Sequence, residues 1–522
     1  PRCVERLRGM FAFAIWDKRR KCLLLARDRL GIKPLYYHQG PGGFAFASEI
    51  RALLASGTIS SRLNRQALHD YLTFQHTVAP QTMFEGIQKL EPGHLLVVAG
   101  HDVTKERYWS LDYSPKFTHS PEACIDEFYE QFKAVTRSHL VGEVPLGVML
   151  SGGLDSTAVT AVVAELIGHV KTFSVAFATG GEDYDERRYA RLVARHVGTD
   201  HHEIELSQED FARGLREYIW SMEEPMADPS SVPLYYVAGL AGEHVRIVLS
   251  GEGADELLGG YFRASDFTGL ARARWFRRIP RFVRRGLLQP LNDGLVRSAR
   301  IRRHLDLADR PFRDYFQVVP AYMGVNVFSH DAKQELYGPR MRADGFRPPE
   351  ALVVDAYRRA AGLEFADQLL AVYTEQWLPD NMLLKADKMT MAHSLELRVP
   401  FLDHTFVEFV ARLPVQLKMR MNGHRSLLTK YALRRAFAGK IPPEIIERPK
   451  RGFPVPLQQL VRHDLRPMAL DLFGSRVVRE SGLFDPHKLR GLFDRPAVDG
   501  HDYRIWRLLV FCTWLDLFKV AS

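Results

Sequence analysis

The stretch Gly147-Val148-Met149-Leu150-Ser151-Gly152-Gly153-Leu154-Asp155-Ser156-Thr157 gathers the most chemistry into the fewest residues. Ser151, Ser156 and Thr157 are hydroxyl donors, and Asp155 is a carboxylate. Gly152 and Gly153 let the backbone approach a ligand closely. The apolar run from Val144 to Leu150 predicts a buried parallel strand, Ser-Gly-Gly a turn, and Ala158 to Ile167 a helix opening at Asp155. The first N–H groups of such a helix point at whatever the loop holds, which suits a phosphate or pyrophosphate. A bare carboxylate would repel that anion, so Asp155 implies a Mg²⁺ between carboxylate and phosphate.

A second string repeats the logic. The apolar run Val245 to Leu249 ends in Ser250-Gly251-Glu252-Gly253-Ala254-Asp255-Glu256, so a glycine turn again releases carboxylates at the end of a predicted strand. Asp155 and Asp255 are therefore candidates to share one Mg²⁺ on the phosphates of ATP. A purely structural account would make Asp255 a helix cap and Glu252 a solvated charge. Two such motifs in one chain weigh against it.

No Gly-Lys-Ser/Thr follows the first glycines, and Gly-x-Gly-x-x-Gly is absent from the loop, so neither a Walker loop nor a dinucleotide fingerprint is present there. Ser-Gly-Gly-Leu-Asp-Ser instead resembles the pyrophosphate loop of the N-type ATP pyrophosphatases, which split ATP between the α and β phosphates. Arg27 to Tyr37 and Ala47 to Leu53 resemble the second half of the glutaminase domain of glutamine-dependent asparagine synthetases. Leu384 to Met389, Leu395 to Asp403 and Pro449 to Pro456 resemble that family's carboxyl half.

The resemblance implies adenylation of the side-chain carboxylate of aspartate by ATP, with release of pyrophosphate. Ammonia, free or from glutamine, then gives asparagine and AMP. It assigns Leu150, Val175, Ser250 and Gly251 to adenosine, and Lys450 as a cation reaching the adenylation site. Ser151, Gly152, Gly153, Ser156 and Thr157 would donate to the phosphates, and Asp155 and Asp255 would hold Mg²⁺. Glu252 and Glu396 are both candidates for moving the proton of the attacking nitrogen. A β-lactam-forming relative would carry tyrosine at Glu252. An amidotransferase acting on a polysaccharide or peptide precursor, a non-catalytic truncated remnant and an RNA-modifying pyrophosphatase are the alternatives.

These residues need elements to position them. A chain of 522 residues exceeds one core, so two or more domains are expected. Residues 1–100 read as short strands, expected to be the carboxyl-terminal remnant of an N-terminal-nucleophile α-β-β-α sandwich. Residues 101–121 read as a polar linker. Residues 122–522 read as an α/β domain, a doubly wound parallel sheet with an α-helical carboxyl-terminal part and its own core. Cys3 follows two residues, so its nitrogen is an amide and cannot serve as the base of a terminal nucleophile. The expectation is an incomplete glutaminase and an ammonia-dependent synthetase that folds without residues 1 to about 110.

Composition fits a globular protein, with 46% hydrophobic and 25% charged residues. Four scattered cysteines show no metal or disulfide spacing, and no apolar run approaches a membrane span, so the expected location is cytoplasmic. The net charge of +9 is concentrated between Arg272 and Arg303, where eleven arginines meet one acid, Asp293. That segment is read as a solvated helical face and not a nucleic-acid surface. The expected partners are aspartate, ATP and ammonia or glutamine, with no membrane; the sequence leaves a homodimer open.

Overall fold

The computed structural model describes residues 2–178, 185–264, 275–296, 301, 305, 327–342, 345–349, 351–423, 426–450, 452–495 and 500–520. Much of the basic run, including Arg272, Arg274, Arg297, Arg300, Arg302 and Arg303, lies outside the described residues, as does Arg451.

The amino-terminal part forms two antiparallel sheets. Strands β1 (Ala12–Asp17), β2 (Cys22–Arg27), β6 (His94–Ala99) and β7 (Asp102–Arg107) make one, in the order β1-β2-β6-β7. Strands β3 (Tyr36–Gly40), β4 (Gly43–Ala47) and β5 (Ile87–Lys89) make the other, in the order β4-β3-β5. Leu25, Leu35, Tyr37, Leu90, Leu96 and Val98 form a buried cluster drawn from both. The polar stretch read as the start of a linker is strand β7, paired with β6 from His94↔Arg107 to Ala99↔Asp102. Its polarity has a physical reason: β7 is an edge strand and mostly solvated, and charged side chains there block further pairing. Irregular chain follows β7 and is pinned to the remainder by Trp109 Nε1 to Glu408 at 2.8 Å, Lys116 to Asp367 at 2.6 Å and Phe117 N to Arg412 O at 3.0 Å.

The second part is built on a five-stranded parallel sheet. Its strands are β8 (Leu146–Met149), β9 (Lys171–Phe177), β10 (Asp200–Leu206), β11 (Ile247–Leu249) and β12 (Glu396–Arg398), in the order β10-β9-β8-β11-β12. The order reverses between β8 and β11, whose register runs Ile247↔Leu146 to Leu249↔Val148. In open parallel sheets, ligands bind at the carboxyl ends of strands beside such a reversal. Helix Leu154–Ile167 follows β8, and helix Ser231–His244 leads into β11. Residues 365–391 form one continuous helical stretch, α-helical at both ends and π-helical over Tyr373–Leu383. Pro379 sits in that π segment, where a missing N–H and a bulky ring disfavour the regular ladder. Among the described residues, no helix is long and apolar enough to cross a membrane.

Besides the clusters each part keeps to itself, the two share an interior. One buried cluster joins Tyr36, Ile50, Leu68, Tyr71 and Phe84 to Tyr218, Trp506, Phe511 and Trp514. The Phe84 and Trp514 rings meet edge to face at 5.2 Å, and Tyr71 donates its hydroxyl to Arg507 O at 2.9 Å. Charges seal the same boundary. The fully buried Glu223 carboxylate accepts from Ile50 N at 3.1 Å, Arg51 N at 2.9 Å and Lys388 Nζ at 2.6 Å. It thereby caps helix Ile50–Ala55 from the other part of the molecule. Lys33 pairs with Asp387 at 2.6 Å, and Lys89 with Glu224 at 3.2 Å.

Residues 122–522 thus keep a large apolar core drawn almost wholly from themselves, but a second part of their interior is shared with the amino-terminal part. Excising residues 1–109 would uncover Trp514 and Phe511, at about 1.5–3 kcal/mol for each large side chain exposed, and would take the Lys33 and Lys89 partners from Asp387 and Glu224. The expected outcome is an aggregating remainder that binds a hydrophobic dye. A soluble 110–522 fragment with one cooperative melting transition would refute the shared core.

Candidate active site

The glycine loops leave β8 and β11 side by side. Leu150 N still bonds Phe173 O at 2.8 Å, so the ladder runs to the lip of the first loop. Gly152 takes φ +72°, and a Cβ there would lie 2.6 Å from Tyr189 Cβ and from Ala190 N, so glycine is required. The loop is laced internally: Ser151 N donates to Ser156 Oγ at 3.2 Å, and Gly153 N to Ser151 Oγ at 3.3 Å. Thr157 is fully buried and donates its hydroxyl to Gly153 O at 2.7 Å. Its hydrogen is thus used inside the helix, which corrects its reading as a phosphate donor; Ser151 is the exposed hydroxyl of the loop. Gly251 packs directly on the first loop, where a Cβ would meet Asp155 Cβ and Ser156 N at 2.8 Å.

That close approach brings the two aspartates together around a residue the sequence did not single out. Lys430 Nζ lies 2.5 Å from Asp155 Oδ2 and 2.5 Å from Asp255 Oδ1. Lys450 Nζ lies 2.5 Å from Asp255 Oδ2. Gly260 leaves the room: a Cβ there would fall 1.7 Å from Asp255 Oδ1 and 2.5 Å from Lys430 Cε. Burial opposes charge on Asp255, yet the Lys430 and Lys450 ammoniums hold its carboxyl down at about 2. Burial pushes Asp155 up, against the Lys430 ammonium beside it. Asp155 Oδ1 is buried and has no hydrogen-bond partner among the described residues.

Other groups surround this cluster. Burial raises the carboxyl of Glu252, half-buried on the second loop, against the Lys385 and Lys450 cations. Glu256 is buried, accepts from Tyr261 Oη at 2.8 Å, and is pushed up to about 8 by burial and by Asp255 and Glu252. Lys385 Nζ bonds Asp228 Oδ2 at 2.6 Å and Ser230 Oγ at 2.9 Å. Arg448 braces the first loop, donating to Gly152 O at 3.2 Å, pairing with Glu186 and covering the Tyr189 ring at 3.8 Å.

Of the residues singled out in the sequence, Leu150, Ser151, Gly152, Gly153, Asp155, Ser156, Ser250, Gly251, Glu252, Asp255 and Lys450 lie on these loops or within their charge cluster. Val175 is half-buried in β9, two residues beyond the pairing of Phe173 with Met149. Glu396 does not join them. It pairs with Ile247 at the amino end of β11, and its carboxylate takes Arg398 Nε at 2.8 Å. The same Arg398 reaches His139 O and Val141 O, ahead of β8. Glu396 thus faces the wrong end of a parallel sheet. Lys430, Arg448 and the Lys385–Asp228 pair were missed, for none carries a glycine or spacing signal. Glu256 stood inside the second motif without a role, and its partner Tyr261 follows five residues later.

Comparison with known proteins places both parts of the chain in known families. The family model described as asparagine synthase matches residues 127–516, and that of a glutamine amidotransferase domain matches residues 1–109. A Mycobacterium bovis relative, provisionally named a glutamine-hydrolyzing asparagine synthetase, is 34% identical over 99% of this chain and 78% of its own. Asparagine synthetase 1 of Bacillus subtilis is 32% identical over 98% of this chain and 78% of its own. Amidase chry2 of Gibberella zeae is 27% identical over 86% and 70%. With glycine loops on neighbouring strand ends, two aspartates between two lysines, and matches along nearly its whole length, the chain belongs to the asparagine synthase family.

Proposed function

We propose that the protein is an ATP-dependent amide-forming ligase that adenylates the side-chain carboxylate of aspartate and transfers ammonia to it, yielding asparagine, AMP and pyrophosphate. The observation that carries this reading is the charge cluster at the reversal of the parallel sheet: two carboxylates and two ammoniums beneath a loop suited to pyrophosphate. ATP is the substrate whose α–β bond breaks.

A divalent cation fits the donor set. Two carboxylates converge, and Asp155 Oδ1 is buried without a hydrogen-bond partner among the described residues. Mg²⁺ takes one or two protein carboxylates and fills its remaining positions with phosphate and water. Asp155 and Asp255 would hold it, and it would neutralise charge on the phosphates.

The chain's own residues supply the rest. Ser151 and the loop backbone orient the leaving pyrophosphate, and Lys450 meets the negative charge that grows on it. Arg448 keeps the loop in place through Gly152 O. The substrate carboxylate attacks the α-phosphorus, giving a β-aspartyl adenylate. Ammonia then adds to the acyl carbon, and Glu252 accepts the proton the nitrogen must lose. What supports Glu252 over Glu396 is its place at the carboxyl end of β11 and its carboxyl raised by burial. Residues 1–109 are proposed as the amidotransferase part of this ligase.

A second reading keeps the chemistry and changes the acceptor; the similarity to a fungal amidase favours keeping it in view. A panel of carboxylic acids with ammonium and ATP, followed by pyrophosphate release and product mass, separates the two. Aspartate is expected to be the acid that drives release. Release with every acid except aspartate would overturn the first reading.

Lys450 serves departure of pyrophosphate more than capture of ATP, so its effect belongs in the transition state. Lys450→Ala is expected to lower kcat by two to three orders of magnitude, about 2.7–4 kcal/mol, with a smaller change in the KM for ATP. A rise in KM alone would make Lys450 a uniform binding residue.

A further inference from the structure

Lys430 is placed at some cost. It takes φ +56°, a left-handed conformation that a residue with a Cβ adopts reluctantly, immediately before helix Tyr431–Ala436. Its N–H bonds Leu258 O at 3.2 Å, tying it to the helix that carries Asp255. Its side chain is 2% exposed, and its ammonium contacts both carboxylates at 2.5 Å. Burying an ion pair is a weak source of stability, because desolvation consumes much of the Coulomb gain. Asp255 has a second cation in Lys450 at 2.5 Å, whereas Lys430 is the ammonium bonded to Asp155. The ammonium therefore occupies ground between the two carboxylates that a divalent cation would need.

We propose that Lys430 is a positioning residue that acts as the internal counter-ion of Asp155 and Asp255. It keeps the two carboxylates converged while the nucleotide is away and excludes a bare divalent cation, so that the metal enters only together with ATP. This rests on reading Asp155 and Asp255 as the metal pair. The phosphates make the exchange possible: they bring negative charge that compensates the displaced ammonium, which a bare cation does not. Lys430 thereby orders binding, with no bond made or broken.

The test measures metal uptake instead of turnover. Mn²⁺ binding is followed by the loss of the free-ion electron paramagnetic resonance signal, with and without α,β-methylene-ATP, for the unaltered full chain and for Lys430→Met. The unaltered chain is expected to take up Mn²⁺ only with the analogue. Lys430→Met is expected to bind Mn²⁺ without it, at least about tenfold more tightly than the unaltered chain. Mg²⁺ alone should raise the melting temperature of Lys430→Met and leave that of the unaltered chain unchanged. Lys430→Met with Asp155→Asn removes the unpaired carboxylate and should lose this response. Nucleotide-independent Mn²⁺ binding by the unaltered chain, as tight as in the variant, would overturn the role of Lys430 while leaving the metal pair standing. Should neither chain bind Mn²⁺ even with the analogue, the metal pair itself fails and the proposal with it. The measurement on the unaltered chain needs no substitution, so a variant that fails to fold does not protect the idea.

Discussion

Two ionised carboxylates from neighbouring strands can be buried around a common point only where nearby cations or donors compensate their charge. Everything at this site follows from meeting that demand. The sheet must reverse its order so that β8 and β11 are adjacent, because only then do two strand ends release loops side by side. Gly251 must lack a Cβ so that the second loop can rest on Asp155, and Gly260 must lack one so that Lys430 can reach Asp255. Removing a single member of such a cluster leaves a buried charge uncompensated, at about 3–5 kcal/mol. The four groups are therefore coupled, and each glycine nearby is constrained by packing as much as by any ligand.

What the sequence revealed of this site was its local part. Strand, glycine turn and helix start lie within a dozen residues, so Asp155 and Asp255 could be located by pattern alone. Lys430 could not, since its place depends on a left-handed turn 275 residues from Asp155. Glu396 failed in the other direction. Its motif is specific, but only the register of β12 against β11 shows which end of the sheet it occupies. Thr157 sat in the expected motif, yet its hydroxyl bonds the carbonyl four residues back, a competition that spacing does not reveal. Strand β7 was hidden for a related reason. A solvated edge strand has the composition of a linker, and only its pairing with β6 distinguishes the two.

The two parts share one interior beside their own cores, because burial is decided by partners and not by segments. Helix Arg65–Phe74 buries every residue from Ala67 to Phe74. Such a helix has no solvent face of its own and must be enclosed by other chain; here that chain is the carboxyl-terminal helix His501–Phe518, itself buried from Ile505 to Leu515. Two helices that both lack a solvated face indicate a shared interior, and their separation by more than 400 residues concealed the partnership.

The segment Lys385-Ala386-Asp387-Lys388 joins these two themes. It was read as one motif of the carboxyl half, but a helix distributes neighbours around its axis, so its charges serve different partners. Lys385 bonds Asp228 and Ser230, and its charge bears on Glu252 in the candidate site. Asp387 bonds Lys33, and Lys388 bonds Glu223, which in turn caps helix Ile50–Ala55 of the amino-terminal part. One turn of helix thus carries ionic contacts to both the candidate site and the amino-terminal part. Because these side chains are almost wholly buried, rotation or translation of this turn would have to break paired charges on both sides together. The segment thus links the amino-terminal part to Glu252 through buried ion pairs, beside the apolar cluster the two parts share and the contacts of the irregular chain that follows β7.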